Sequence, residues 1–126
     1  MKSSLHDFAL AYTSAWCSRD PDRVAAHFAP GGALTINGGV PAVGRAAIAE
    51  AARSFMKQIP DLHLEMDGLL IQAHGAVFRW TLTSAVDSLR ISGFEEWTFG
   101  TDGLIVDSQG HFDSADYQRQ LSAIQP

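Results

Sequence analysis

A carboxylate, Glu95, stands in the middle of the run Ile-Ser-Gly-Phe-Glu-Glu-Trp-Thr-Phe, with Trp97 two positions further on. Successive side chains of a strand point to opposite faces, so Glu95 and Trp97 share one face and Glu96 takes the other. With Trp97 turned to the interior, that face carries a carboxyl beside aromatic rings. Keeping such a group ionised away from water is expensive, so a carboxyl in that setting is neutral, paired or functional. His63 and His111, each on an extended segment, are of the residue type most used for proton transfer. No pair among His6, His27, His63, His74 and His111 has metal-ligand spacing, so neither a metal nor a cofactor is expected. The Gly-Gly pairs at 31 and 38 lack the following lysine of a phosphate loop, and the serines lack a nucleophile-elbow context. Cys17 has no base near it in sequence, which argues against covalent catalysis.

Those residues need elements to hold them. In residues 4–19, Leu5, Phe8, Tyr12 and Trp16 recur every three or four positions and define one face of a helix. Asp20-Pro21 fits an N-cap with proline at the first helical position, which predicts a second short helix through Val24, His27 and Phe28, stopped by Pro30-Gly31-Gly32. Residues 33–37 read as a short strand ended by Gly38-Gly39. Gly44 precedes a third helix with apolar positions Ile48, Ala51, Ala52, Phe55, Met56 and Ile59, and Pro60 lies just past its end. From Asp61 the pattern becomes extended over 62–72, 76–85, 89–99 and 104–111, with turn signals at His74-Gly75, Val86-Asp87-Ser88 and Thr101-Asp102-Gly103. A last helix spans 114–124, with Asp113 placed to accept from its first free amides.

The class is α+β. A strongly bent, mostly antiparallel sheet wrapped around three N-terminal helices, with a short C-terminal helix, makes a cone-shaped α+β barrel with an apolar interior. Trp16, Phe55, Phe78, Trp80, Trp97 and Phe112 lie on the converging elements and are expected to wall a cavity as well as fill the core. The outer sheet face, with Phe94, Thr98 and Arg79, is expected to pair two copies into a homodimer.

With 126 residues, 46% of them hydrophobic, the chain reads as one domain over 1–126 that can bury most of the surface its unfolded form exposes. Its net charge is −5, and its nine Lys and Arg are scattered singly, so neither nucleic acid nor an anionic membrane is an expected partner. No apolar run approaches the roughly 18 residues of a membrane span. The start, Met-Lys-Ser-Ser-Leu-His-Asp-Phe, lacks a signal peptide's apolar stretch, and one cysteine cannot form an internal disulfide. The expected location is cytoplasmic.

The order helix, helix, strand, helix, sheet, with the segments FAPGGALTI, VGRAAIAEAARSF, FRWTLTS and GTDGLIVDSQGHFD, resembles the nuclear transport factor 2-like superfamily, and within it the SnoaL-like polyketide cyclase domains. The likeness spans residues 5–122, and because this superfold hosts unrelated activities it implies a fold before a reaction. In the ketosteroid isomerase branch, a tyrosine and a protonated carboxylic acid form an oxyanion hole opposite an aspartate base. The resemblance puts Tyr12 at the tyrosine, Glu95 at the acid and Asn37 at the base. An amide cannot abstract a proton, so the resemblance implies an oxyanion-binding pair without its enolising partner, and a steroid isomerase is disfavoured. In SnoaL-like cyclases and limonene epoxide hydrolases an acid on the strand after the final turn serves as acid or base, and Gly110 holds the comparable position here. The hydrolases' Arg and Asp, two apart, correspond to Arg79 and Thr81, so their water activation is not implied.

The enzyme so implied is a cofactor-independent cyclase or isomerase of an aromatic or polycyclic carbonyl compound. Tyr12 and Glu95 would stabilise an enolate oxygen, and His63 is the reserve candidate for the general base. The alternative is a binding module whose cavity holds a hydrophobic small molecule oriented by Tyr12, Asn37 and Glu95. A third reading is a dimerisation domain whose cone is filled by large side chains, which a cavity volume distinguishes from the other two.

Overall fold

The computed structural model describes residues 4–85 and 88–124, so Val86 and Asp87 of the expected 86–88 turn, and the first three residues, lie outside it. Ser4 opens helix α1 (Leu5–Cys17) by accepting from the Asp7 amide at 3.0 Å, and Asp7 puts a negative charge in the first turn. Asp20 caps α2 (Pro21–Ala25) in the same way, from the Asp22 amide at 3.0 Å. In chain order there follow β1 (Phe28–Ile36), β2 (Ala42–Val43), α3 (Arg45–Gln58), β3 (Leu62–Ile71), β4 (Gly75–Ser84), β5 (Arg90–Phe99), β6 (Ile105–Phe112) and α4 (Ser114–Ile124). Asp113 Oδ1 caps α4 by accepting from the Asp116 amide at 3.0 Å.

The second helix ends sooner than the local pattern implies. It stops at Ala25, the His27 amide closes a turn on the Val24 carbonyl at 3.2 Å, and Phe28 already begins β1. Pro30-Gly31-Gly32 therefore ends no helix; it lies within a strand whose register against β6 slips between Phe28 and Ala33. Gly32 comes so close to β6 that a Cβ there would stand 2.7 Å from the Ile105 carbonyl oxygen. A bulge accepts residues without an N–H or a side chain, which in isolation look like a helix stop. The partner strand that decides the matter lies far along the chain.

The six strands form one sheet in the order β2-β1-β6-β5-β4-β3. Strands β3 to β6 are an antiparallel meander, and β1 runs parallel to β6. Register slips at Met66/Gly68 and Thr98/Phe99 add local twist, which helps the sheet curl. Helix α1 lies against β3 and α2, and α3 against α2 and β1, so the helices occupy the concave side of a cone. Tyr12, Phe28, Ile48, Ile59, Leu62, Phe78 and Ile105 are all sealed there, at 0–2% exposure. No described helix is long and apolar enough to cross a membrane.

Candidate functional site

On β5 the alternation resolves the Glu95/Glu96 ambiguity: Ile91, Glu95 and Trp97 are buried, whereas Phe94, Glu96 and Thr98 are exposed. Glu95 is 7% exposed and meets Tyr12, 83 positions away on α1. The Tyr12 hydroxyl lies 3.0 Å from Glu95 Oε1 and 3.2 Å from Oε2. Two further donors, Trp97 Nε1 at 3.1 Å and the Ser108 hydroxyl at 2.8 Å, also reach Oε1. Burial raises the Glu95 pKa above the usual carboxyl value, and the bonds from Trp97, Ser108 and Tyr12 act against that rise without cancelling it. Burial first, and then the Glu95 charge, holds the Tyr12 phenol well above its ordinary value.

The pair has two proton arrangements. When Glu95 is ionised, Tyr12 donates to it. When Glu95 is neutral, Oε1 still accepts from Trp97 and Ser108, Oε2 carries the proton and can donate to the Tyr12 oxygen, and the phenolic proton is released toward the cavity. A neutral carboxylic acid supporting a tyrosine in this way can stabilise negative charge developing on a bound oxygen.

That cavity is walled by Tyr12 and Glu95 together with Trp16, Phe55, Trp80, Phe112 and Tyr117, and by aliphatic side chains from β1, β3, β4 and β5. It contains about 600 Å³ of space outside atoms, its mouth included, of which about 50 Å³ admits the centre of a water-sized sphere. The cone is neither filled nor wide open: it holds a narrow apolar slot with one polar corner. Gly110, cross-strand partner of Glu95, lines the slot without a side chain. A Cβ there would come 3.2 Å from Ile36 Cδ1 and 3.7 Å from Glu95 Cγ, so the position points at the acid and leaves it without a neighbouring carboxylate.

Tyr12, Glu95, Trp16, Phe55, Trp80 and Phe112 thus converge on the cavity. Four expected residues do not line it. Phe78 is fully buried and stacks on Trp97 at a centroid distance of 4.8 Å, so both rings form a floor behind the acid, with Trp97 acting as its donor. Asn37 is exposed in a left-handed turn (φ 51°), where its Oδ1 accepts from the Phe112 amide at 2.9 Å, because Ile36 takes the inward position. His63 alternates with the inward Leu64 on β3 and faces outward, 3.6 Å from Glu65 Oε1 and with its Nδ1 3.7 Å from Cys17 Sγ. A base at His63 therefore has no path to a ligand in the slot.

Two contributors went unread in the sequence. Ser108 is fully buried behind Glu95, and Tyr117 lines the slot while its hydroxyl donates to Gln58 at 2.6 Å. Ser108, Gly110 and Phe112 alternate on β6 with Asp107, Gln109 and His111, a period-two signal that marks the inward face.

The curled six-stranded sheet closed over helices is the cone fold of the nuclear transport factor 2-like class. The chain belongs to the SnoaL-like domain family, whose model matches residues 9–108. A candidate SnoaL-like polyketide cyclase from Jannaschia sp. CCS1 superposes with a TM-score of 0.82 at 13% identity, covering 99% of each chain. A hypothetical protein with a ketosteroid isomerase-like fold from Catenulispora acidiphila, solved with trimethylamine, gives 0.82 at 13% identity over 98% of this chain and 100% of that one. A SnoaL-like protein of unknown function from Burkholderia thailandensis gives 0.75 at 20% identity over 89% of this chain and 99% of that one. No curated protein matches the sequence.

Proposed function

We propose that the cavity binds an aromatic or polycyclic carbonyl compound and that Tyr12, backed by neutral Glu95, stabilises its enolate oxygen during a cofactor-independent cyclisation or isomerisation. The observation that carries this reading is the Tyr12–Glu95 hydrogen bond at the polar corner of an aromatic slot. The likeness to a candidate polyketide cyclase supports it. Among the described residues the titratable groups on the wall are Tyr12, Glu95 and Tyr117; burial holds the Tyr12 phenol well above its ordinary value and pushes the Tyr117 phenol up to about 12, so neither phenol is a ready base, and in this reading Glu95 is engaged as the acid behind Tyr12. The proton must leave to water or to a basic group of the substrate. That same observation favours a second reading, a non-catalytic module that binds the carbonyl compound and performs no chemistry.

Exchange of the methyl protons of acetophenone in deuterated water separates the two. A catalyst accelerates incorporation saturably, and both Tyr12→Phe and Glu95→Gln abolish the acceleration; a binder saturates without exchange. Absence of any acetophenone binding sinks both readings. In this reading the chain also pairs with a second copy through the outer face of β4 and β5, where Phe94 is 38% exposed opposite Arg79. Sedimentation velocity should show a dimer that Phe94→Glu dissociates, and a monomeric parent protein would refute the pairing.

A further inference from the structure

Trp16 and Trp80 line the cavity, and their indole nitrogens, both sealed from water, have no hydrogen-bond partner; they are the two such buried side-chain atoms among the described residues. Each residue is 8% exposed. The third tryptophan, Trp97, is satisfied by Glu95. A donor taken from water and given no acceptor is unfavourable, and well-packed interiors rarely tolerate it without a reason. Two such donors on residues that line one cavity, whose remaining lining is mostly aliphatic and aromatic, call for an acceptor that the protein itself does not provide.

The two indoles stand in different relations to the polar corner. The Trp16 indole N–H is turned toward the Tyr12 oxygen and acts to lower that phenol's pKa, but the contact falls outside hydrogen-bond geometry. Its N–H and the Tyr12 hydroxyl can therefore converge on one ligand oxygen. Trp80 projects from β4 opposite Gly93 and packs against that glycine's backbone: a Cβ at 93 would lie 2.6 Å from the Trp80 ring. The slot's 50 Å³ is well below the roughly 150 Å³ of a cavity that takes benzene, so a ring-sized ligand must displace wall side chains. The side chains with most to gain from displacement are the two whose donors acquire a partner.

We propose that Trp16 and Trp80 are ligand-binding residues: a ligand enters by displacing these two rings, one of its oxygens accepts from Tyr12 and Trp16 together, and a second acceptor on another edge takes the Trp80 N–H. The inference rests on the carbonyl-binding reading above and adds to it a selection for compounds with acceptors on two edges over compounds with one.

The test uses the whole chain labelled with nitrogen-15, in which three indole N–H signals report on Trp16, Trp80 and Trp97, and three probes built on one benzene ring: 1,4-diethylbenzene, acetophenone and 1,4-diacetylbenzene. Acetophenone should move the Trp16 signal downfield. Diacetylbenzene should move those of Trp16 and Trp80 and bind about tenfold tighter than acetophenone, the gain of one hydrogen bond. Trp80→Phe keeps an aromatic wall and should bring diacetylbenzene down to the affinity of acetophenone. If no probe binds, or acetophenone binds no better than diethylbenzene, the carbonyl reading falls and this inference with it. If acetophenone binds better than diethylbenzene but the diacetyl compound gains nothing, or Trp80→Phe weakens both ketones equally, the inference alone falls. Indole signals already at hydrogen-bonded positions in the free protein, and unmoved by any probe, would mean that water answers both donors and would equally overturn it.

Discussion

Replacing Tyr12 by phenylalanine removes one hydroxyl and keeps the ring, whose edge-on contacts with Phe78 and Trp97 lie at centroid distances of 5.5 and 5.1 Å. What is lost is the bond to Glu95, 3.0 Å to Oε1 and 3.2 Å to Oε2. While Glu95 is neutral that bond is an ordinary one, worth roughly 1 kcal/mol net; to an ionised Glu95 it is worth roughly 1.5–3 kcal/mol. The remaining donors, Trp97 and Ser108, both address Oε1, so Oε2 of the ionised form loses its partner. The sign follows from the same contacts. Burial raises the Glu95 pKa and the Tyr12 bond lowers it, so the variant's Glu95 titrates higher still. A carboxyl whose folded pKa exceeds its unfolded value supports folding fully below the unfolded value and loses that support as pH rises through the folded one. Tyr12 stays protonated throughout, since burial and the Glu95 charge hold its phenol well above its ordinary value. The deficit of Tyr12→Phe should therefore grow with pH. With a urea slope of about 2 kcal/mol/M, the unfolding midpoint should fall by about 0.5 M at an acid pH where Glu95 is protonated and by about 1 M at a pH above its raised folded value. Equal shifts at the two pH values would show that the hydroxyl does not feel the Glu95 charge, and the proton-sharing account of the site would be wrong.

Three further outcomes follow from the packing. Gly93→Ala would place a Cβ 2.4 Å from the His111 carbonyl oxygen and 2.6 Å from the Trp80 ring, so it should destabilise by about 1–3 kcal/mol, seen as a lower thermal midpoint; an unchanged midpoint would mean the strands relax freely there. Asp113→Ala removes the cap on the Asp116 amide and should cost about 1 kcal/mol in urea unfolding, whereas a change within error would assign the start of α4 to other contacts. His63→Gln should leave acetophenone exchange and binding as they are, since the ring faces outward beside Glu65; a large loss of exchange would return His63 to the role of base.

Local chemistry made much of the architecture legible. Ser4, Asp20 and Asp113 cap α1, α2 and α4 within a few residues of themselves, and the strands of the meander carry their own alternation and turn signals, so α1, α4, the start of α2 and the meander fall within a residue or two of where the pattern puts them. The misreadings occur where a distant partner decides. Pro30-Gly31-Gly32 looks like a helix stop until β6 lies alongside it, and Asn37 looks inward until the bulged register gives the inward position to Ile36.

The same division governs the site. The sequence by itself determined that an acid sits on the face of Trp97 and that aromatic side chains lie on the elements around it, because period, residue type and spacing are properties of a short stretch of chain. Only the tertiary structure decided that Tyr12 and Ser108 share the acid's oxygens, that Phe78 and Trp97 lie behind the cavity, that His63 lies outside it and that two indoles lack partners. Those facts depend on ångström distances between residues scores of positions apart, and hydrogen bonding and desolvation, which set the protonation of Glu95, change steeply over such distances.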